Sequence, residues 1–170
     1  MNRVVVGVHD SLAGLCALRQ AVTEARRRGA ILHAVRAWPP TPGPRVMAVQ
    51  PWRSVAVQEA TVAVQQAFDD AMGGVPDDVT VHVMVTAGPP GAALVEYADR
   101  ADDLLVVGAG QRRWLRRLVG SSVARYCVRH AHCPVLAVPP PELAQAGSIS
   151  TLARALRREV QQLVDTSGTG

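Results

Sequence analysis

Most residues of this chain that could meet a ligand lie in one stretch, DDLLVVGAGQRRWLRRLVGSSVARYCVRHAHCPVLAV, from Asp102 to Val138. Gly108-Ala109-Gly110 follows a short apolar run ending at Val107, and Ser121-Ser122 stand where a helix can begin, with Val123 next. Gln111, Arg112, Arg113, Arg116 and Arg117 fill the segment between. A glycine turn at a strand's end lets a ligand approach the backbone closely. A helix N-terminus beside it offers free N–H groups and a positive dipole end to an anion. The chemistry on offer is therefore that of the phosphate-facing half of a nucleotide site. Each feature also has a purely structural reading. A lone GxG is a tight turn in any α/β fold, either serine can simply cap a helix, and the arginines can form a solvated loop.

Other chemistries are excluded by residue type. The chain contains no lysine, so a phosphate-loop lysine, a kinase lysine, a Schiff-base lysine and the lysine of a phospho-receiver site are all ruled out. Its positive sign, +4 overall, is carried by arginine alone, which binds phosphate through a planar fork. The arginines are spread along helices without interleaved aromatics, so no nucleic-acid surface is predicted. His9, His33, His82, His130 and His132 show no metal-ligand spacing with carboxylates or cysteines. No Ser/His/Asp set or paired-carboxylate site can be assembled, so no catalytic residue is assigned. Cys16, Cys127 and Cys133 lack CxxC spacing and read as small buried hydrophobes of a reduced compartment.

The elements that must position these residues follow from periodicity. With 170 residues, 48% hydrophobic, and one Phe, two Tyr and three Trp, the core has to be built of Val, Leu and Ala, which suits a Val-rich parallel sheet under Ala/Leu helices. Arg3 to Val8 reads as a strand buried on both faces, followed by Ser11 as a helix cap. Leu12, Leu15, Leu18, Val22 and Ala25 then recur at helical spacing, until Arg26-Arg27-Arg28 and Gly29 close the helix. Ile31 to Ala37 is the second strand, and the five prolines between Pro39 and Pro51 indicate a loop. Ser54 to Met72 is a helix with Val57, Thr61, Val64, Phe68 and Ala71 on one face. Val79 to Thr86 alternates as a half-exposed edge strand should. A helix over Ala92 to Arg100, a strand from Leu104 to Val107, a helix from Ser121-Ser122 and a strand from Pro134 to Val138 complete the order.

Short connections between alternating strands and helices force right-handed crossovers, so a doubly wound five-stranded parallel sheet is expected over residues 1–140. Residues 141–170 read as a linker, an amphipathic helix from Thr151 to Val164 and a disordered tail. No apolar run reaches about 18 residues, and the N-terminus enters a strand without room for a secretory signal, so a soluble cytoplasmic protein is expected. In such sheets ligands bind beyond the C-terminal strand ends where the winding reverses. With the first strand central and beside the fourth, that crevice lies between Gly7-Val8-His9 and Val107-Gly108-Ala109-Gly110, with Ala34 and Val35 as an adjoining wall.

These stretches together, RVVVGVHDSLAGLCALRQA, ILHAVRAW and DDLLVVGAG…GSSVARYCVRHAHCPVLAV, resemble the universal stress protein family over about residues 3 to 138. The resemblance implies an adenine nucleotide alpha hydrolase-like sheet of strand order 3-2-1-4-5. It implies ATP, with Mg, held as a regulatory ligand rather than turned over. It also implies a homodimer paired through the last strand, Val135, Leu136, Ala137 and Val138. ATP-binding members carry an acidic residue just after the first strand, and a glycine, two residues, a glycine, nine residues, then glycine and Ser or Thr. Counted back from Cys133-Pro134, Ser122 takes the hydroxyl, Ser121 the third glycine, Gln111 the second and Gly108 the first. His9 takes the acidic position, with Asp10 one step late. A second registration, from Gly110 to Gly120-Ser121, keeps two glycines but displaces the helix start. Val8, His9, Ala34, Val107, Gly108, Gly110, Gln111, Ser121, Ser122 and Val123 are therefore the candidate nucleotide contacts. The alternative is a dimeric interaction module whose degenerate crevice takes no nucleotide.

Overall fold

Five β-strands with branched apolar cores lie side by side, all parallel, in the order β3-β2-β1-β4-β5. The computed structural model describes residues 2–38, 51–110 and 123–141, with side chains from residue 57 onward in the second helix. The chain runs β1 (Arg3–Gly7), α1 (Leu12–Arg28), β2 (Ile31–Trp38), α2 (Pro51–Met72), β3 (Val81–Ala87), α3 (Pro90–Tyr97), β4 (Leu104–Gly108), α4 (Val123–His130) and β5 (Val135–Val138). The strand order is the expected one. The winding reverses between β1 and β4, where Val4, Val5 and Val6 register with Leu104, Leu105 and Val106.

Strand alternation divides the core into two layers. Val4, Val6, Leu32, Ala34, Leu104 and Val106 meet α1 through Leu18 and Val22, and α2 through Val64 and Phe68. Val5, Val35, Leu105 and Val107 meet α3 through Leu94, and α4 through Ala124 and Cys127. At the lower edge of β1 and β4, Arg3 closes the sheet electrostatically. Its Nε donates to Asp103 Oδ1 at 2.8 Å and its Nη2 to Asp99 Oδ1 at 2.8 Å. Asp103 is 1% exposed and also accepts from the Arg100 N–H. The paired carboxylates hold the Arg3 guanidinium firmly protonated.

Several sequence expectations are shifted. The second helix begins at Pro51 rather than Ser54, because proline suits the first turn of a helix. The third ends at Tyr97, short of Arg100, where Asp103 draws the Arg100 N–H into a turn. Leu12 is 59% exposed, so the apolar stripe of α1 does not reach its N-terminal end as expected, and Val57 of α2, expected on the apolar face, is 41% exposed. Cys127 and Cys133 are buried as expected, but Cys16 is only half-buried. β3 is an edge strand as expected. Its alternation is incomplete, since Val83 and Met84, on opposite faces, are both exposed. The Arg112–Arg117 loop, the Ser121-Ser122 helix start and the helix expected over Thr151 to Val164 lie outside the described residues.

Candidate functional site at the sheet's switch point

β1 ends at Gly7 and the chain continues through Val8 towards the switch point. The Val8 N–H still donates to Val35 O at 2.9 Å, and its side chain is buried with the α1 and α2 layer. His9 and Asp10 then turn outward. The His9 Nδ1 accepts from the Ser11 N–H at 3.1 Å and lies 3.2 Å from Asp10 Oδ1. Ser11 caps α1 as expected, its Oγ accepting from the Gly14 N–H at 3.2 Å. The His9 imidazole is thus tied into the helix entry through one ring nitrogen, leaving Nε2 as the atom that can reach a ligand.

On the other side, Val107 is buried against the α3 and α4 layer, and Ala109 N–H donates to Val138 O at 2.7 Å. The two flanking glycines differ in kind. A Cβ at Gly108 would lie 2.7 Å from the Ala13 carbonyl carbon and oxygen and 2.8 Å from Gly14 N. The residue is glycine because the first turn of α1 presses directly on the strand end. Gly14 in turn fits under His9, whose carbonyl oxygen would stand 2.2 Å from a Cβ there. Among the described residues nothing lies within 4 Å of a Cβ at Gly110, which is exposed. Gly108 therefore has a packing reason for its glycine, while Gly110 has none among the described residues.

The remaining candidates fall as follows. Ala34 is fully buried in mid-strand, level with Val6, so only its backbone can line the crevice. Val123 opens α4 and is half-buried against the core. The β1–β4 register, which ends with Val6 beside Val106, puts Val8 and His9 beyond the same end of the sheet as Gly108 and Gly110. Gln111, Ser121 and Ser122 lie outside the described residues. Among the described residues no group of three or more His, Cys, Asp or Glu could hold a metal ion. Burial pushes the Cys127 thiol up to about 11 and raises Cys133, so both are poor nucleophiles at neutral pH. Sequence reasoning passed over Arg36, an arginine inside the apolar run of β2; a charged residue in a buried strand was the signal.

Comparison with known proteins bears on this arrangement. The model of the universal stress protein family matches residues 1–139. The chain belongs to that family. It is 33% identical over 151 residues to the universal stress protein Rv2623 of Mycobacterium tuberculosis, a match covering 79% of this chain and 46% of the relative. The chain thus spans about half the length of that relative. A universal stress protein solved in complex with cAMP is 27% identical, with a TM-score of 0.59, covering 82% of this chain and 98% of that one. The universal stress protein UspA from Lactobacillus plantarum, 24% identical with a TM-score of 0.60, covers 81% of this chain and 97% of its own, and shares the fold. Among the described residues, no helix is long and apolar enough to cross a membrane.

Proposed function

We propose that this universal stress protein binds an adenine nucleotide, ATP with Mg being the expected form, as a regulatory ligand at the β1–β4 switch point. The observation that carries the reading is Gly110, a glycine with no packing neighbour among the described residues, directly beyond a strand end where such sheets bind ligands. The similar protein solved with cAMP supports the same ligand class. In this reading the backbone of Val8, Ala34, Val107 and Gly108 shapes the crevice and His9 Nε2 reaches the base or ribose. Gly110, Gln111, Ser121, Ser122 and Val123 face the phosphates. The ligand is held rather than turned over, with at most weak hydrolysis, and the protein acts in the cytoplasm.

The test is mass spectrometry of nucleotide released on denaturing the purified protein, for wild type and Gly110→Val. Adenine nucleotide released from wild type and depleted in the variant is the expected result. Equal amounts in both, with the fold intact by circular dichroism, refute the role of Gly110. None in either favours the dimeric module with an empty crevice.

Dimerisation through β5 belongs to the same proposal. Among the described residues this strand pairs only with β4, leaving Val135, Leu136, Ala137 and Val138 with one edge for a second copy. Sedimentation equilibrium of wild type and Ala137→Pro, expected to be dimer and monomer, checks it.

A further inference from the structure

Arg36 is the residue of the β2 run ILHAVRAW that does not fit a buried strand. Alternation places it on the face of Leu32 and Ala34, towards α1 and α2. Val85 of β3 registers with it on one side. On the other, Val8 follows Gly7, the partner of Val35, and so stands beside Arg36. Arg36 therefore occupies the β2 flank of the crevice, across β1 from the flank formed by Gly108 to Gly110. Its Nη1 is enclosed and makes no hydrogen bond to any partner among the described residues. A guanidinium has donors and a fixed charge but no acceptor, and an enclosed donor without a partner is costly. The segments that continue from β2 and β4 offer no carboxylate: residues 37–56 and 104–134 contain neither Asp nor Glu, but do contain Arg45, Arg53, Arg112, Arg113, Arg116 and Arg117. Asp10, the acidic residue at the end of β1, is exposed and already beside His9.

We propose that Arg36 is an anion subsite of this crevice, its Nη1 donating to a phosphate oxygen of the bound nucleotide. This rests on the nucleotide reading above and adds a contact from the flank opposite the glycine turn. A charge-assisted hydrogen bond at an enclosed site accounts for about 10- to 100-fold in affinity. The test is calorimetric titration of the full chain with ATP, AMP and adenosine, wild type against Arg36→Met. The variant is expected to lose about 10- to 100-fold for ATP and AMP and to keep adenosine within about twofold. Equal losses for adenosine and ATP, or no loss, overturn the assignment. Thermal melts with and without inorganic pyrophosphate separate the two claims. If wild type binds none of the three ligands, the nucleotide reading fails, but the subsite is still decided. A pyrophosphate-induced rise in melting temperature in wild type that is absent from Arg36→Met supports it, and equal rises or none overturn it. Without ligand the variant should melt no lower than wild type, because an apolar side chain of similar length removes an enclosed Nη1 that has no hydrogen-bond partner among the described residues.

Discussion

Gly108→Ala is the substitution whose effect follows most directly from the geometry. In an ordinary strand position, replacing glycine by alanine stabilises a protein by about 0.4–1 kcal/mol, through the reduced freedom of the unfolded chain. Here the new Cβ would stand 2.7 Å from Ala13 C and O and 2.8 Å from Gly14 N. These are backbone atoms of the first turn of α1, so no side chain can rotate away. The turn itself is fixed by the Ser11 cap and by Gly14 packed under His9. Relief requires moving α1 off β4 by several tenths of an ångström, overpacking that costs about 1–3 kcal/mol. With a urea slope of about 2 kcal/mol per molar, the unfolding midpoint should fall by about 0.5–1.5 M. Gly110→Ala, with no neighbour within 4 Å among the described residues, should leave the midpoint within about 0.25 M. Urea denaturation followed by circular dichroism reads both. A Gly108→Ala midpoint equal to or above wild type would refute the packing account, and would return Gly108 to the list of glycines kept for ligand approach.

Other outcomes follow from the lower edge and the second core layer. Among the described residues Asp103→Ala leaves Arg3 with the exposed Asp99 as its one carboxylate partner, and breaking a buried pair in this way should cost about 3–5 kcal/mol, read as a lowered melting temperature. The His33 imidazole, whose Nδ1 lies 2.7 Å from Tyr97 Oη, is held below its ordinary pKa by burial, then by His82 and Arg3. Because its folded value is depressed, the stability it contributes is complete above about pH 6.5 and is lost as pH falls from there through the folded value. His33→Gln should flatten the slope of stability against pH in that window, and an unchanged slope would assign the dependence to other groups. Native-state alkylation at pH 8 followed by mass spectrometry should modify half-buried Cys16 well before Cys127, whose thiol titrates near 11.

The fold was legible because its signals are physical and local. Continuous branched runs such as RVVVG and LLVVG can only be strands buried on both faces, and Ser11 and Gly29 bracket α1 as cap and left-handed stop. The family resemblance rested on the same stretches. Element ends were less legible, because they depend on distant partners. The end of α3 is set with Asp103, five residues beyond Ala98 and paired to Arg3 a hundred residues earlier in the chain. The switch point was legible from topology alone, since in the order β3-β2-β1-β4-β5 the winding reverses between β1 and β4. What each glycine does there was not legible. Gly108 and Gly110 are chemically identical in sequence and are told apart by α1, which packs on one and leaves the other open. Arg36 escaped notice for a similar reason: a charge in a strand becomes informative only once its Nη1 is seen enclosed with no hydrogen-bond partner among the described residues.

Calorimetric titration of the purified full chain with Mg-ATP, and with cAMP and GTP in parallel, tests the central claim most directly. Saturable one-site binding of an adenine nucleotide, weaker for GTP and lost in Gly110→Val while the urea midpoint is kept, is the predicted result. No heat with any adenine nucleotide, from protein first freed of co-purified ligand by unfolding and refolding, would contradict it.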